Sequence, residues 1–434
     1  MNTTISTTCT FPISDFEQVK EKVLNWAQRF NTFCFLDNHQ YQIEPHSMEC
    51  LLAAGAKRHL KADAGNALPL LQQLIDEKKG WLFGHLGYDL KNEIERLSSV
   101  NPDGIHFPDM FFFEPEVVIR LSIKEMIIDA DEPKAVYASV FATSELTGVP
   151  LQKKISIQNR YSKQEYIAVI KKLKQHILRG DCYEINFCQE FFAENAAIDP
   201  VEVYKRLAAI SPNPFSALYR NDNQWLLCAS PERFLKKQGN RVLSQPIKGT
   251  SKRVLNDELE DDKSRNELQY SAKDRSENVM VVDLVRNDLA KVCEEGTVKV
   301  DELYGIYSFP QVHQMISTVS GELKKHISFT TIIRATFPMG SMTGAPKKRV
   351  MELIEEYEQT KRGIFSGAVG YISPAGDFDF NVVIRSIMYN AASKYLSFQA
   401  GSGITFYSEA EKEWEECLMK AEAMKKVLKE NSKD

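Results

Sequence analysis

Lys248 stands between a Pro-Ile and a Gly-Thr pair in SQPIKGTSKR, Ser244 to Arg253. Its type and setting allow two roles, a solvated charge on a turn or a nucleophile held beside a substrate. A free lysine amine has a pKa near ~10.4, so at pH 7 fewer than roughly one in a thousand is neutral and nucleophilic. Burial or nearby positive charge would have to depress that value. A bound Mg²⁺ and the adjacent Lys252 and Arg253 could contribute. The local string alone favours the solvated lysine.

Paired carboxylates come next. Asp274 and Glu277 lie three apart in a helical pattern and share one face, and Glu413 and Glu416 do the same near the C-terminus. Hard cations such as Mg²⁺ take oxygen ligands, usually one or two carboxylates with substrate and water. Two helices each offering such a pair could build that site, although spacing alone fits a solvated helix face better. Two glycine-bearing turns, GSMTGAPK (Gly340 to Lys347) and AGSGI (Ala400 to Ile404), offer backbone N–H groups to an anion, the first where it feeds a helix N-terminus. Neither is a Walker A or GxGxxG string, and each alone reads better as a turn without a ligand. Arg385 sits amid apolar neighbours in NVVIRSIMY, where a carboxylate would satisfy it bidentately and a structural salt bridge serves equally well. His313, in PQVHQMIST, reads better as a packed or exposed side chain than as a catalytic one.

The elements that must position these residues are legible from about residue 160. In SKQEYIAVIKKLKQHILRGD the apolar residues recur at helical spacing and Gly180 follows as a stop. CYEINFCQEFF alternates Tyr183, Ile185 and Phe187 with polar neighbours, as in a half-buried strand. Asp199-Pro200 starts a helix, and SALYR, QWLLCAS, FLKKQ and RVLSQPI read as strands. One long helical segment is expected through KSRNELQYSAKDRSENVMVVDLVRNDLAKV. A final amphipathic helix opens at Ser408 with Glu411 as a capping box, its stripe being Trp414, Cys417, Leu418, Ala421 and Leu428. Residues 1–150 read as strands with a few helices, DADEP (Asp129 to Pro133) as a tight turn, and TGVPLQKK (Thr147 to Lys154) as a linker. Blocks of helices and hairpin-like strands give an α+β class with a largely antiparallel core. The division expected is an N-terminal region, 1–150, packed on a catalytic region, 151–434, the two together forming one intertwined fold.

Composition narrows the function. With 54 basic and 59 acidic side chains in 434 residues the formal net charge is −5, which argues against a dedicated nucleic-acid binder. Hydrophobic content of 43% and charged content of 26% are those of a globular protein. No apolar run approaches the roughly 18 residues that span a bilayer, and the N-terminus lacks the pattern of a signal peptide. The eight cysteines are scattered without a CxxC pair, as expected of reduced thiols in the cytoplasm.

Taken in order, SPERF (Ser230–Phe234), PIKGT (Pro246–Thr250), AKDRSENVMVVDLVRNDLAKV (Ala272–Val292), ATFPMGSMTGAPK (Ala335–Lys347), GAVGY (Gly367–Tyr371), IRS (Ile384–Ser386) and AGSGI resemble the chorismate-utilising enzymes. That family includes anthranilate synthase component I, aminodeoxychorismate synthase component I, isochorismate synthase and salicylate synthase. The resemblance implies two mainly antiparallel sheets flanked by helices, with one active site between the layers. It also implies roles. Glu277 and Glu416 would hold Mg²⁺, with Glu413 close by, and the metal would hold the ring carboxylate of chorismate. Arg385 and the backbone of Gly401, Ser402 and Gly403 would grip the other carboxylate, Gly249 and Thr250 would line the pocket, and Glu232 would be a general acid for loss of the C4 hydroxyl.

Lys248 then separates the members. Anthranilate synthases are similar here but usually carry PIAGT, whereas many aminodeoxychorismate synthases carry lysine, so the resemblance implies that Lys248 attacks chorismate and that the product serves 4-aminobenzoate and folate synthesis. Isochorismate and salicylate synthases resemble one another in placing a lysine base where this chain has Glu184, which argues against a water-adding reaction. Many relatives have a histidine where Gln314 stands, and a hydroxyl-bearing aromatic where Phe365 stands. The LLES-type inhibitor motif is not evident near FCFLDNHQYQ, so tryptophan feedback is not expected. No G-x-C-x-G elbow occurs, so ammonia is expected from a separate glutamine amidotransferase subunit. The competing expectations are anthranilate synthase component I and a non-catalytic scaffold that binds an amidotransferase.

Overall fold

The computed structural model describes residues 7–41, 48–143, 155–309 and 312–429. Among these residues two antiparallel sheets pack face to face. One runs Thr7–Pro12, Glu125–Ala130, Val117–Leu121, Cys50–Ala54, Thr32–Asp37, Phe215–Asn221, Gln224–Ser230, Ser386–Asn390, Tyr395–Ile404, Glu184–Ala193 and Gly344–Ala345. The other runs Ile247–Lys252, Val312–Glu322, Arg241–Gln245, Arg233–Gln238, Phe378–Asn381, Ala368–Ile372, Leu82–Leu86, Met110–Glu114 and Arg58–Ala62. The first 150 residues supply strands to both sheets: Thr32–Asp37 pairs with Phe215–Asn221 in one, and Leu82–Leu86 with Ala368–Ile372 in the other. The linker expected at Thr147 to Lys154 lies outside the described residues.

Two apolar layers follow from the period of the strands. In Thr32–Asp37, Phe33 and Phe35 face helices such as Phe16–Ala27, while Cys34 faces the second sheet among Phe83, Phe112 and Phe380. Glu184–Ala193 behaves the same way. Ile185, Phe187 and Phe191 enter the helix-side core, against Tyr166 and the last helix, Ala410–Lys429. The polar alternates do not meet solvent as expected of a half-buried strand: all ten residues are buried. Glu190 is neutralised there by Arg160 at 2.8 Å, and the rest of that polar face turns inward.

Two boundaries differ from expectation for local reasons. The long charged helix is two, Glu258–Tyr270 and Ala272–Ala290, because Ser271 leaves helical geometry (ψ 113°) and its hydroxyl caps the second by accepting the Asp274 N–H at 3.2 Å. The break puts Asp274 in the first turn of the second helix and Glu277 one turn further along the same face. The last helix begins at Ala410, and Ser408 accepts Thr405 N–H at 3.1 Å in the preceding turn rather than forming a box with Glu411. DADEP turns as expected, bending at Asp131 and Glu132 between the strand ending at Ala130 and a helix starting at Pro133. The Asp199 cap stands as expected, accepting the N–H groups of Val201 and Glu202.

Candidate active site

A cleft of about 520 Å³ opens between the sheets, beside the helices Ala272–Ala290 and Ala410–Lys429. That size suits a small organic ligand. Of the residues singled out in the sequence, Glu232, Lys248, Gly249, Thr250, Glu277, Arg385, Gly401, Gly403 and Glu416 line it. Ser402 and Glu413 do not. Strand alternation turns Ser402 to the opposite face, where its hydroxyl donates to Glu413 behind the wall.

Lys248 reaches the cleft through an irregularity. The ladder between Ile247–Lys252 and Val312–Glu322 slips between Ile247 and Thr250, and Gly249 sits at φ 92° within the slip. Such a bulge re-aims a side chain, and a positive φ favours glycine. A Cβ on Gly249 would also press at 3.0 Å on Asp274 and Leu268. Lys248 is thereby buried, with Nζ 2.6 Å from Glu184 Oε1. The expected depression of its pKa is not found. Burial works to lower it, but Glu184, Glu277 and Glu232 outweigh that and raise the amine above the ordinary lysine range. Arg253, expected to help, is tied to Asp261 at 2.8 Å. The resting side chain is an ammonium.

Glu232 occupies the turn between Gln224–Ser230 and Arg233–Gln238, and Ser341 Oγ donates to its Oε1 at 2.6 Å. Burial pushes its carboxyl up to about 7, against the lowering effects of Ser341 and Lys248. A carboxyl poised near neutrality can both give and take a proton. Ser341 comes from the glycine-bearing string Gly340 to Lys347, whose helix N-terminus does not line the cleft; Ser341 and Met342 do. Arg385 holds φ 52°, a left-handed conformation that costs of order 1–3 kcal/mol in a non-glycine residue. No described carboxylate lies within 4 Å of its guanidinium; burial lowers its pKa, and Glu416 opposes this from longer range.

Lys273 was not foreseen, although it lies inside the quoted motif. Its Nζ stands 3.4 Å from Glu413 Oε1 and 3.9 Å from both Glu277 Oε1 and Glu416 Oε2. Three carboxylates therefore converge on one cation. Glu277 Oε1 is buried without a hydrogen-bond donor, and burial pushes that carboxyl up to about 7. This oxygen-only donor set fits a hard divalent cation better than an ammonium at such distances, although no group of three His, Cys, Asp or Glu side chains among the described residues is arranged to coordinate a metal as it stands. His313 proves structural, bonding Ser308 at 2.8 Å and Asp261 at 3.2 Å. Gln314 and Phe365 line the cleft, the former with its Oε1 buried and unpartnered. Asn186 was missed as a site residue, and Glu184, recognised as standing where some relatives carry a lysine base, was given no role of its own. The signal was present as polar residues at alternate positions of a strand, and was read as a solvated face.

The fold and the cleft define a class, two packed antiparallel sheets enclosing a cleft lined by charged side chains, and sequence comparison names it. The chorismate binding enzyme family matches residues 24–426, and the chain belongs to that family. It is 32% identical over 396 residues to aminodeoxychorismate synthase component 1 of Escherichia coli K12, covering 88% of this chain and 86% of that protein. It is 34% identical over 355 residues to an anthranilate synthase component I-like protein of Synechocystis, covering 80% and 72%. The crystal structure of anthranilate synthase component I from Streptococcus pneumoniae superposes with a TM-score of 0.78 at 24% identity, over 89% of this chain and 94% of that one. The expected two-sheet α+β fold is thus found. No described helix is long and apolar enough to cross a membrane.

Proposed function

We propose that the chain is an aminodeoxychorismate synthase component 1, converting chorismate and ammonia into 4-amino-4-deoxychorismate. The observation that carries this reading is Lys248, a buried amine aimed into the cleft and facing Glu232, both of which line it. Lys248, as the free amine, attacks C2 of the ring. The double bonds shift, the C4–O bond breaks, and the hydroxyl leaves as water with the proton of Glu232. Ammonia then adds at C4, the double bonds shift back, and the C2–Nζ bond breaks. The Glu232 carboxylate takes the surplus proton from the new amine, so acid and nucleophile are regenerated.

Arg385, with no carboxylate of its own close by, and the backbone of Gly401 and Gly403, with Ser402 between them anchored behind the wall, bind one substrate carboxylate; Gly249 and Thr250 also line the pocket. Glu277 and Glu416, with Glu413 behind them, would hold Mg²⁺, which when bound supplies positive charge for the ring carboxylate. Ammonia comes from a separate glutamine amidotransferase subunit, in keeping with the "component 1" in the names of relatives. The protein works in the cytoplasm.

The test is a product assay on the purified chain with chorismate, Mg²⁺ and ammonium salt, read by chromatography and mass, beside Lys248→Ala. An amino product that keeps its enolpyruvyl group, lost in the variant, is the expected result. Fluorescent anthranilate from both proteins would place the chain with the anthranilate synthases, whose names also occur among its relatives.

A further inference from the structure

The nucleophile is an ammonium at rest, so something must take its proton. We propose that Glu184 is that acceptor: its carboxylate removes a proton from Lys248 Nζ before the amine attacks, and returns it when the amine is released. This rests on the reading of Lys248 as the nucleophile.

The geometry is built for such a transfer. Glu184 Oε1 lies 2.6 Å from Nζ, and it is the one carboxylate oxygen among the described residues within 4 Å of that atom. Glu184 is 1% exposed, and its Oε2 is buried with no hydrogen-bond partner, so no second donor stabilises its charge. Its backbone is fixed on both sides, by Tyr183 N–H to Ala345 O and by Asn186 N–H to Thr343 O, each at 2.8 Å. The pair also sits directly over Gly403, where a Cβ would fall 2.6 Å from Glu184 Oε1 and 2.9 Å from Lys248 Nζ. Glu232, Glu277 and Glu416 act on Lys248 too, from the neighbouring turn and two helices, but at longer range.

Burial penalises each charge of the pair separately, so moving one proton from Nζ to the carboxylate removes both penalties at once. At rest the neighbouring carboxylates outweigh that gain for Lys248; a substrate that fills the cleft and displaces water moves the balance toward the neutral pair. The bookkeeping is closed. Nζ–H breaks and Oε–H forms before attack; after the C2–Nζ bond breaks, the neutral amine recovers the same proton. No outside acid or base is consumed.

An internal transfer makes the supply of free amine independent of pH, whereas a lysine without its acceptor must lose the proton to solvent. The experiment compares kcat of Glu184→Gln with that of the wild type from pH 6 to 9, with free ammonia held constant. Titrations common to both proteins, Glu232 included, cancel in the ratio. The ratio of variant to wild type is expected to rise about tenfold per pH unit. A ratio that stays constant overturns the proposal, because the amine would then be freed equally well without Glu184. If Glu184→Gln does not fold, Glu184→Ala with added formate replaces it: turnover that climbs with formate supports the transfer, and turnover indifferent to formate contradicts it. Failure of the underlying reading looks different. It appears as a wild-type product without nitrogen at C4, or as a Lys248→Ala variant with unchanged turnover.

Discussion

The cleft has two unlike walls. The strand wall, from Glu184–Ala193 and Tyr395–Ile404, is buried and held by a continuous antiparallel ladder that pairs Asn186 with Gly403 and Cys188 with Gly401. The helical wall, carrying Lys273, Glu277 and Glu416, is held by charge, and its central cation is 43% exposed along the side chain. Backbone ladders fix position to a fraction of an ångström, whereas exposed ion pairs contribute little and are screened by salt. The difference assigns preorganised chemistry to the strands and adaptable ligand capture to the helices.

The largest expected effect strikes the acid that faces the strand wall. Glu232→Gln keeps the shape and the Ser341 contact but cannot protonate the leaving hydroxyl, so kcat is expected to fall about 10³-fold. In the wild type the same group sets a pH limb. Its folded pKa is raised to about 7, and the protonated form is the active one, so the rate should fall as pH rises through about 7. A pH–rate profile without that falling limb contradicts the assignment.

Next in size is a test of the ladder itself. A Cβ on Gly401 would lie 1.9 Å from the backbone oxygen of Phe187, which has no rotamer to escape into. Gly401→Ala is expected to cost about 3 kcal/mol, read as a lower urea midpoint. An unchanged midpoint would mean that the wall is softer than its pairing implies.

The smallest effect sharpens the contrast from the helical side. Lys273 competes with any divalent cation for the same carboxylates, so Lys273→Met should bind Mg²⁺ about tenfold more tightly by calorimetry, a gain of about 1.4 kcal/mol. Weaker Mg²⁺ binding in the variant would show instead that Lys273 belongs to the bound state.

What the sequence made legible was short-range. The lysine and carboxylate strings are local, and so are the Asp199 cap and the helical stripe ending at Leu428, the last two folding as read; AGSGI, read as a turn, instead lies inside the strand Tyr395–Ile404, where its pairing with Glu184–Ala193 holds it extended. What escaped was long-range. Glu184 meets Lys248 across 64 positions of chain, and its polar alternation looks the same whether the face meets water or a buried cleft. Lys273 was in view as a letter, but its meaning depends on two helices converging on it. The break at Ser271 was hidden because a capping serine and a tolerated mid-helix serine look alike without φ and ψ.

The central claim is that Lys248 bonds covalently to the substrate. The first half of the proposed reaction needs no ammonia, so the protein should trap itself when ammonia is withheld. Incubation with chorismate and Mg²⁺, followed by quenching, proteolysis and peptide mass mapping, should place an adduct of chorismate less one water on the peptide bearing Lys248, discharged when ammonium salt is added before the quench. A Lys248 peptide that stays unmodified while the complete mixture turns over would contradict the account.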